Sequence, residues 1–153
     1  MSEASSRQTL RLHWRGTLHD PPTVAAVRVA HALEMGPPGL QAWHALWKGD
    51  YTAPPLLLAA GAASLLSGRE SLLILAAAGH GRGNDAGALI DGDSCARMAV
   101  AGFDPETEIR LDNCAALLAS SGDLLNLPAD TDPAGETTSF VVLGLKCHAP
   151  ARD

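Results

Sequence analysis

The sequence predicts an α/β fold in which a mixed sheet lies between helical layers, an α/β/α arrangement. The first observation is a helical run, Leu56–Leu66, in which every residue except Gly61 and Ser64 is apolar. A helix that is apolar on every side must be buried. The second observation is the apolar run Leu72–Ala78, whose length is typical of a strand buried on both faces. Together these segments predict the centre of a parallel α/β sheet.

Before this centre the sequence predicts two strands and one helix. Thr9–Arg15 alternates apolar and polar residues, which predicts a strand with one polar face. Asp20 precedes two prolines and is expected to cap a helix, because proline at the first helical position loses no hydrogen bond. That helix runs to Met35, where a Gly-Pro-Pro sequence follows. Leu40–Trp47, rich in Trp and Leu, is predicted to be the second strand.

After the central strand comes Gly79–Gly87, which has four glycines in nine residues and allows close backbone approach. We expect Gly87–Ile90 and Ser94–Val100 to form two short strands, or one ladder with a bend. The Asp91-Gly92-Asp93 sequence between them predicts a tight turn. A third carboxylate would be needed to favour a cation site there, and this stretch has none.

Near the end of the chain the patterns are weaker. Glu106–Leu111 is a weak strand candidate, and Asp112 is expected to cap a short helix over residues 113–120. Pro128–Thr137 is predicted to be a polar loop. Ser139–Cys147 is a clear closing strand, because it is dominated by β-branched and other apolar residues.

Length, charge and cysteine content limit the possible classes of protein. The 153 residues suit one core, so we expect a flexible N-terminus over 1–8 and a single α/β domain over 9–150. A net charge of −6 with only two lysines argues against a nucleic-acid partner. No signal peptide or membrane span is predicted. Cys95, Cys114 and Cys147 lack metal-ligand spacing and indicate reduced thiols in a cytoplasmic protein.

Three segments, taken in order, carry a resemblance to a known family. Residues 9–35 match a first strand and helix, and residues 56–79 match a nucleophile-bearing helix and the buried strand after it. Residues 87–100, GALIDGDSCARMAV, are similar to a ladder that contains a Gly-Asp turn. The series resembles the thiolase superfamily, in particular the first half of β-ketoacyl-ACP synthase III-like condensing enzymes. The resemblance implies the N-terminal half of a thiolase fold.

The departures from that family bear on activity. The nucleophilic Cys of the family would fall near Tyr51, or at Gly49 in a second alignment, yet no Cys precedes Cys95. The family's catalytic His and Asn lie in a second half that this chain is too short to contain. The resemblance therefore implies a pseudoenzyme, a truncated ketosynthase-like subunit with no catalytic activity alone and no cofactor. Its acyl site would be vestigial, and Tyr51 is expected to plug it or to pack for structural reasons.

The same resemblance implies partners. It implies a homodimer, a heterodimer with a ketosynthase or thiolase-like protein, or contact with acyl carrier protein. Such an assembly would serve acyl transfer in polyketide or fatty acid biosynthesis. The family's dimer interface includes the strand before the nucleophile helix, so Trp43, Trp47 and Tyr51 are interface candidates. The alternative is that the two tryptophans simply cap the core.

A different class of function comes from the glycine-rich segment. Gly81–Ala86 fits the G-x-G-x-x-A pattern of dinucleotide-binding loops, although Asp85 would place a negative charge beside a phosphate. A small acyl-thioester- or nucleotide-binding protein is therefore the alternative function. Its binding candidates are His80, Gly81, Arg82 and Gly83.

Other chemistry has little support in the sequence. The six histidines are dispersed and show no metal-ligand spacing, so no metal site is predicted. Cys95 or Cys114 could be a displaced nucleophile, but free Cys is usually buried and inert. A degenerate fragment without independent function is a third possibility.

Overall fold

The computed structural model describes residues 12–48, 54–77, 85–126 and 137–147, and within these ranges it contains six strands and five helices. The α/β class is therefore confirmed. The helices are α1 Pro22–Met35, α2 Pro54–Leu66, α3 Ser94–Val100, α4 Pro105–Arg110 and α5 Cys114–Ser120. The strands are β1 Leu12–Leu18, β2 Gly39–Lys48, β3 Leu72–Ala77, β4 Asp85–Asp91, β5 Leu124–Asn126 and β6 Thr137–Lys146.

The strands form one sheet in the order β1-β2-β6-β3-β4-β5. Strands β1 and β2 are parallel, and every other neighbouring pair is antiparallel. Strand β3 lies at the centre of the sheet as expected, but the expected parallel pairing is wrong, because β6 inserts between β2 and β3 and both neighbours of β3 are antiparallel to it. An apolar run such as Leu72–Ala77 predicts burial but carries no information about the direction of its neighbours.

All five helices lie on one face of the sheet. Helix α1 reaches the sheet at Gly144 on β6, where an added Cβ would lie 2.6 Å from Cδ1 of Leu33. Helix α2 packs beside α1, and the three short helices join the same core through Met98, Ile109 and Leu117. In the described ranges the chain thus has one helical layer on one sheet, and a second helical layer is not seen there.

The contact between α1 and α2 explains the alanine-rich composition. Ala25 and Ala26 of α1 and most residues of α2 are fully buried. Gly61 of α2 faces α1, and a Cβ added there would lie 3.4 Å from Cβ of Ala26. Small side chains let the two helices pack closely, because the distance between helix axes depends on the residues at the contact.

Two predicted strands are helices. Ser94–Val100 forms α3, and the segment predicted as Glu106–Leu111 forms α4 instead. The physical cause at α4 is its start, since Asp104 accepts hydrogen bonds from the N–H and hydroxyl of Thr107 and Pro105 occupies the first helical position.

Two predicted helix caps also differ from the structure. Helix α1 has Pro21 at its N-cap position, and Asp20 pairs with Arg28 at 3.2 Å. Helix α5 begins after Asn113, while Asp112 adopts a left-handed conformation with φ of 54°. The predicted N-terminus at 1–8 and most of the predicted polar loop lie outside the described residues. None of the helices in the described ranges is long and apolar enough to span a membrane.

Candidate functional site

Four strands end at the same edge of the sheet. Strands β1, β2, β3 and β5 run in one direction, so the carboxyl ends of all four, at Leu18, Lys48, Ala77 and Asn126, lie along one edge. We call it the carboxyl edge. In open α/β sheets, ligands bind outside the carboxyl ends of strands. The carboxyl edge is therefore the candidate site.

Two helices begin at the carboxyl edge. Helix α1 follows the end of β1 and helix α2 follows the end of β2, so both N-terminal ends, which carry partial positive charge, lie there. Neither first turn contains an acidic residue, and α1 has no side-chain cap. Proline begins both helices and lacks an N–H. The remaining first-turn N–H groups are those of Thr23 and Val24 in α1 and of Leu56 and Leu57 in α2.

The site residues predicted from the sequence fall mostly on segments outside the described residues. Tyr51 lies in 49–53, which connects β2 to α2, and His80, Gly81, Arg82 and Gly83 lie in 78–84, which connects β3 to β4. The described ends of both segments are at the carboxyl edge. The binding role of these residues stays a prediction.

The two tryptophans proposed for an interface lie on β2. Trp43 is 4% exposed and belongs to the hydrophobic core between sheet and helices. Little of its side chain is therefore left for a partner. Trp47 pairs with Thr138 of β6 through the backbone, and its side chain is outside the described part of the structure.

At the opposite edge of the sheet, polar side chains bind the C-terminal end of α1. Arg69 pairs with Glu34, and Lys146 Nζ donates to the carbonyl oxygens of Glu34 at 2.7 Å and Gly36 at 2.9 Å. Gln41 Nε2 donates to Ala32 O at 3.3 Å. These contacts cap the C-terminal end of α1, where cations are favoured. This edge has a structural role.

A polar cluster around Arg97 is absent from the sequence predictions. Arg97 Nη2 lies 2.8 Å from Asp123 Oδ1 and 3.3 Å from both carboxylate oxygens of Asp91, and Nε donates to Ser121 O at 2.9 Å. The contacts join β4, α3 and the end of α5. One sequence feature could have indicated α3, namely the helical spacing of the buried Ser94 and Met98 in SCARMAV. A helix over these residues would have placed Arg97 beside Asp91.

The opposite charges in this cluster stabilise the ionised forms of Asp91 and Arg97. Burial acts to raise the pKa of Asp91, but the N–H of Asp93 and the guanidinium of Arg97 outweigh it and lower that pKa below its ordinary value. Burial acts to lower the pKa of Arg97, and Asp91 and Asp123 together raise it. The guanidinium is thus held within the fold through Nε and Nη2, which indicates a structural role.

The cysteines do not form a nucleophilic centre. Cys114 is buried, and burial, with the negative charges of Asp112 and Glu108, raises its pKa to about 11. Its thiol stays protonated near neutral pH and is therefore a poor nucleophile. Cys95 is half-buried and Cys147 exposed, and all three thiols are free. In the ranges that the structure describes, no three His, Cys, Asp or Glu side chains lie close enough together to hold a metal ion.

Comparisons with known proteins give a fold relationship. No protein-family model and no curated protein match the sequence. A glycerate kinase (EC 2.7.1.31) from Thermotoga maritima superposes with a TM-score of 0.72 at 21% identity, over 90% of this chain and 36% of the kinase. The PH0495 protein from Pyrococcus horikoshii OT3 superposes with a TM-score of 0.73 at 20% identity, over 95% of this chain and 36% of that protein. The chain therefore spans about a third of the length of these proteins.

These neighbours overturn the family resemblance drawn from the sequence. The resemblance to the thiolase superfamily and to β-ketoacyl-ACP synthases is wrong, because the chain has the fold of part of a glycerate kinase. The inferred ketosynthase-like pseudoenzyme in acyl transfer is wrong with it. The alternative, a small acyl-thioester- or nucleotide-binding protein using Gly79–Gly87, has no support from these neighbours either. The matching segments reflect helix–strand alternation that many α/β folds share, and the expected ladder over 87–100 is half helix.

Proposed function

We propose that this chain is one unit of a glycerate-kinase-like protein and that it binds a small hydroxy acid of the glycerate type at the carboxyl edge. The observation that carries the proposal is the superposition of 90% of the chain on a glycerate kinase with a TM-score of 0.72. A fold alone does not specify a function, so the chemistry of the edge must also suit the ligand.

The chemistry of the carboxyl edge suits a small anion. Glycerate carries one carboxylate and two hydroxyls and has little apolar surface. The N-terminal ends of α1 and α2 provide partial positive charge, and no carboxylate in either first turn opposes an anion. Because the chain has a net charge of −6, a local positive field is what would let an acid bind here.

We further propose that the chain alone binds without catalysing phosphoryl transfer. That reaction depends on cations placed around the transferred phosphoryl group. Arg28, Arg69 and Arg97 are each paired with a carboxylate of the fold. A second unit, corresponding to the length of the neighbours that this chain does not cover, would supply the remaining groups. The three free thiols support a cytoplasmic location as part of the same proposal.

Isothermal titration calorimetry tests the proposal. We expect glycerate to bind with a Kd of roughly 1 mM or tighter, which corresponds to about −4 kcal/mol. Glycerol, which lacks the carboxylate, and propionate, which lacks the hydroxyls, should bind at least tenfold more weakly. With ATP and Mg²⁺ present, the chain alone should form no phosphoglycerate. Absence of glycerate binding by a folded sample would contradict the proposal.

A matched pair of variants locates the interaction. Arg82→Ser removes a charge from the segment that joins β3 to β4 at the carboxyl edge, and Arg110→Ser removes the same charge from an exposed position on α4. We expect the first variant to weaken glycerate binding and the second to leave it unchanged. Equal effects of the two variants would count against binding at this edge.

A further inference from the structure

In the described ranges, the face of the sheet opposite the helices is apolar and is not covered by other elements. Side chains alternate between the two faces of a strand, and along β3 the residues Leu72, Ile74 and Ala76 are buried under the helices. The alternate residues Leu73 and Leu75 are only half-buried and point to the other side. The strand pairings extend this second face across the sheet. We call it the open face.

The exposure of single residues confirms that no described helix covers the open face. Trp14 on β1 is 60% exposed, Leu89 on β4 is 43% exposed and Val141 on β6 is 42% exposed. Antiparallel sheets with one solvated face normally place polar residues there. An apolar patch of this extent on one protein is typical of an interaction surface.

The size of the open face suits a protein interface. Six strands spaced about 4.8 Å apart make the sheet about 24 Å wide, and six paired residues at about 3.3 Å each give a length of about 20 Å. The flat area is thus about 500 Å², and side-chain relief increases the accessible area above that. A standard stable interface buries about 800 Å² on each partner. The open face therefore approaches the size that a stable dimer needs.

The composition of the face favours a second copy as the occupant. Among the side chains that the structure describes, the two central strands place only aliphatic ones on this face, namely Leu73, Leu75, Ala77, Val141, Leu143 and Leu145. Among its described side chains, strand β2 adds one polar residue, His44, and Asp91 at the margin is paired with Arg97. The described side chains of this face form no charge pattern that would select a different partner, and an aliphatic surface is complementary to itself.

We propose that the open face pairs with the same face of a second copy of this chain around a two-fold axis. Two twisted sheets pack face to face about 10 Å apart, with their strands within about 30° of each other. Closed two-fold pairing is the commonest form of self-association. Both edges of the sheet stay free in this arrangement, so the dimer does not depend on the function proposed for the carboxyl edge.

Sedimentation equilibrium of the full chain tests this inference. We expect a mass of twice 15.8 kDa at micromolar concentrations. Val141→Lys and Leu89→Lys place a charge on the open face at positions already exposed in one chain, and each should weaken the dimer at least tenfold. The matched controls are Val100→Lys on α3, which is 92% exposed, and Leu111→Lys, also exposed, and both should remain dimeric.

The inference would be overturned if the wild type were a monomer at about 100 μM or formed an open-ended oligomer. It would also be overturned if the control substitutions weakened the dimer as strongly as the open-face substitutions. Circular dichroism checks the fold of each variant. If a face variant fails to fold, the thermal unfolding midpoint of the wild type is measured at several protein concentrations. A dimer predicts a midpoint that rises with concentration, because association stabilises the folded state. A midpoint independent of concentration would also overturn the inference.

Discussion

At the scale of single residues, Arg97 has the most consequential polar contacts in the described structure. Its guanidinium joins two carboxylates and a backbone carbonyl that come from β4 and from the turn after α5. Asp123 is only 9% exposed and also accepts from the hydroxyl of Ser121 at 2.6 Å. Removal of the guanidinium would leave that buried carboxylate without its cation, which is strongly unfavourable.

Arg97→Gln should therefore lower the free energy of unfolding by about 2 kcal/mol, a value below the range for fully buried pairs because Arg97 is partly exposed. The matched control is Arg110→Gln on the exposed side of α4, with an expected change within about 0.5 kcal/mol. Urea denaturation measures both. Adding Asp123→Asn to Arg97→Gln should recover part of the loss. Equal losses for the two single variants would show that the cluster contributes little.

At the scale of elements, glycine positions decide how closely strands and helices approach. Gly87 on β4 faces the backbone of β3, and a Cβ there would lie 2.6 Å from Cα of Ala77 and still closer to the carbonyl oxygen of Ala76. Backbone atoms in a paired strand cannot move aside without loss of hydrogen bonds. In contrast, Gly61 in α2 has room for a methyl group beside Ala26.

The two glycines predict opposite effects of the same substitution. Gly87→Ala should destabilise the chain by about 3 kcal/mol or more, because it forces β3 and β4 apart. Gly61→Ala should stabilise it by up to about 1 kcal/mol, since alanine has the higher helix propensity and its Cβ makes an ordinary contact. Thermal unfolding compares both variants with the wild type. A tolerated Gly87→Ala would contradict the close β3–β4 pairing.

Hydrophobic pattern predicts most elements but not their arrangement. The sequence predicts eight of the eleven elements in their observed type, because most of them have a clear apolar period, run or cap signal, namely β1, α1, β2, α2, β3, β4, α5 and β6. It misses α3, where Ser94 and Met98 give only one helical repeat, α4, where only Pro105 is buried, and the three-residue strand β5. Strand order and direction depend on contacts between distant segments, such as Leu72 with Lys146, which local pattern does not encode.

At the scale of the whole molecule, the two faces and two edges of the sheet have different roles. Among the described residues, one face is buried under five helices and the other is left uncovered, while one edge is closed by capping and ion-pair contacts such as Lys146 with the end of α1. The carboxyl edge combines four strand ends and two helix starts. The sequence pointed to two segments of this edge, those with Tyr51 and with His80–Gly83. It could not show that the strand ends before them, Lys48 and Ala77, lie at the same edge, because that follows from β6 running antiparallel to both β2 and β3.

The most direct measurement of the central proposal is a titration of the ¹⁵N-labelled chain with glycerate, followed by backbone amide chemical shifts. We expect concentration-dependent shifts at Thr23, Val24, Leu56 and Ala77, since these amides lie at the carboxyl edge. The amides of Arg69 and Gly92 at the opposite edge should not change. Shifts confined to the opposite edge, or none at glycerate concentrations of about 10 mM, would contradict the proposal.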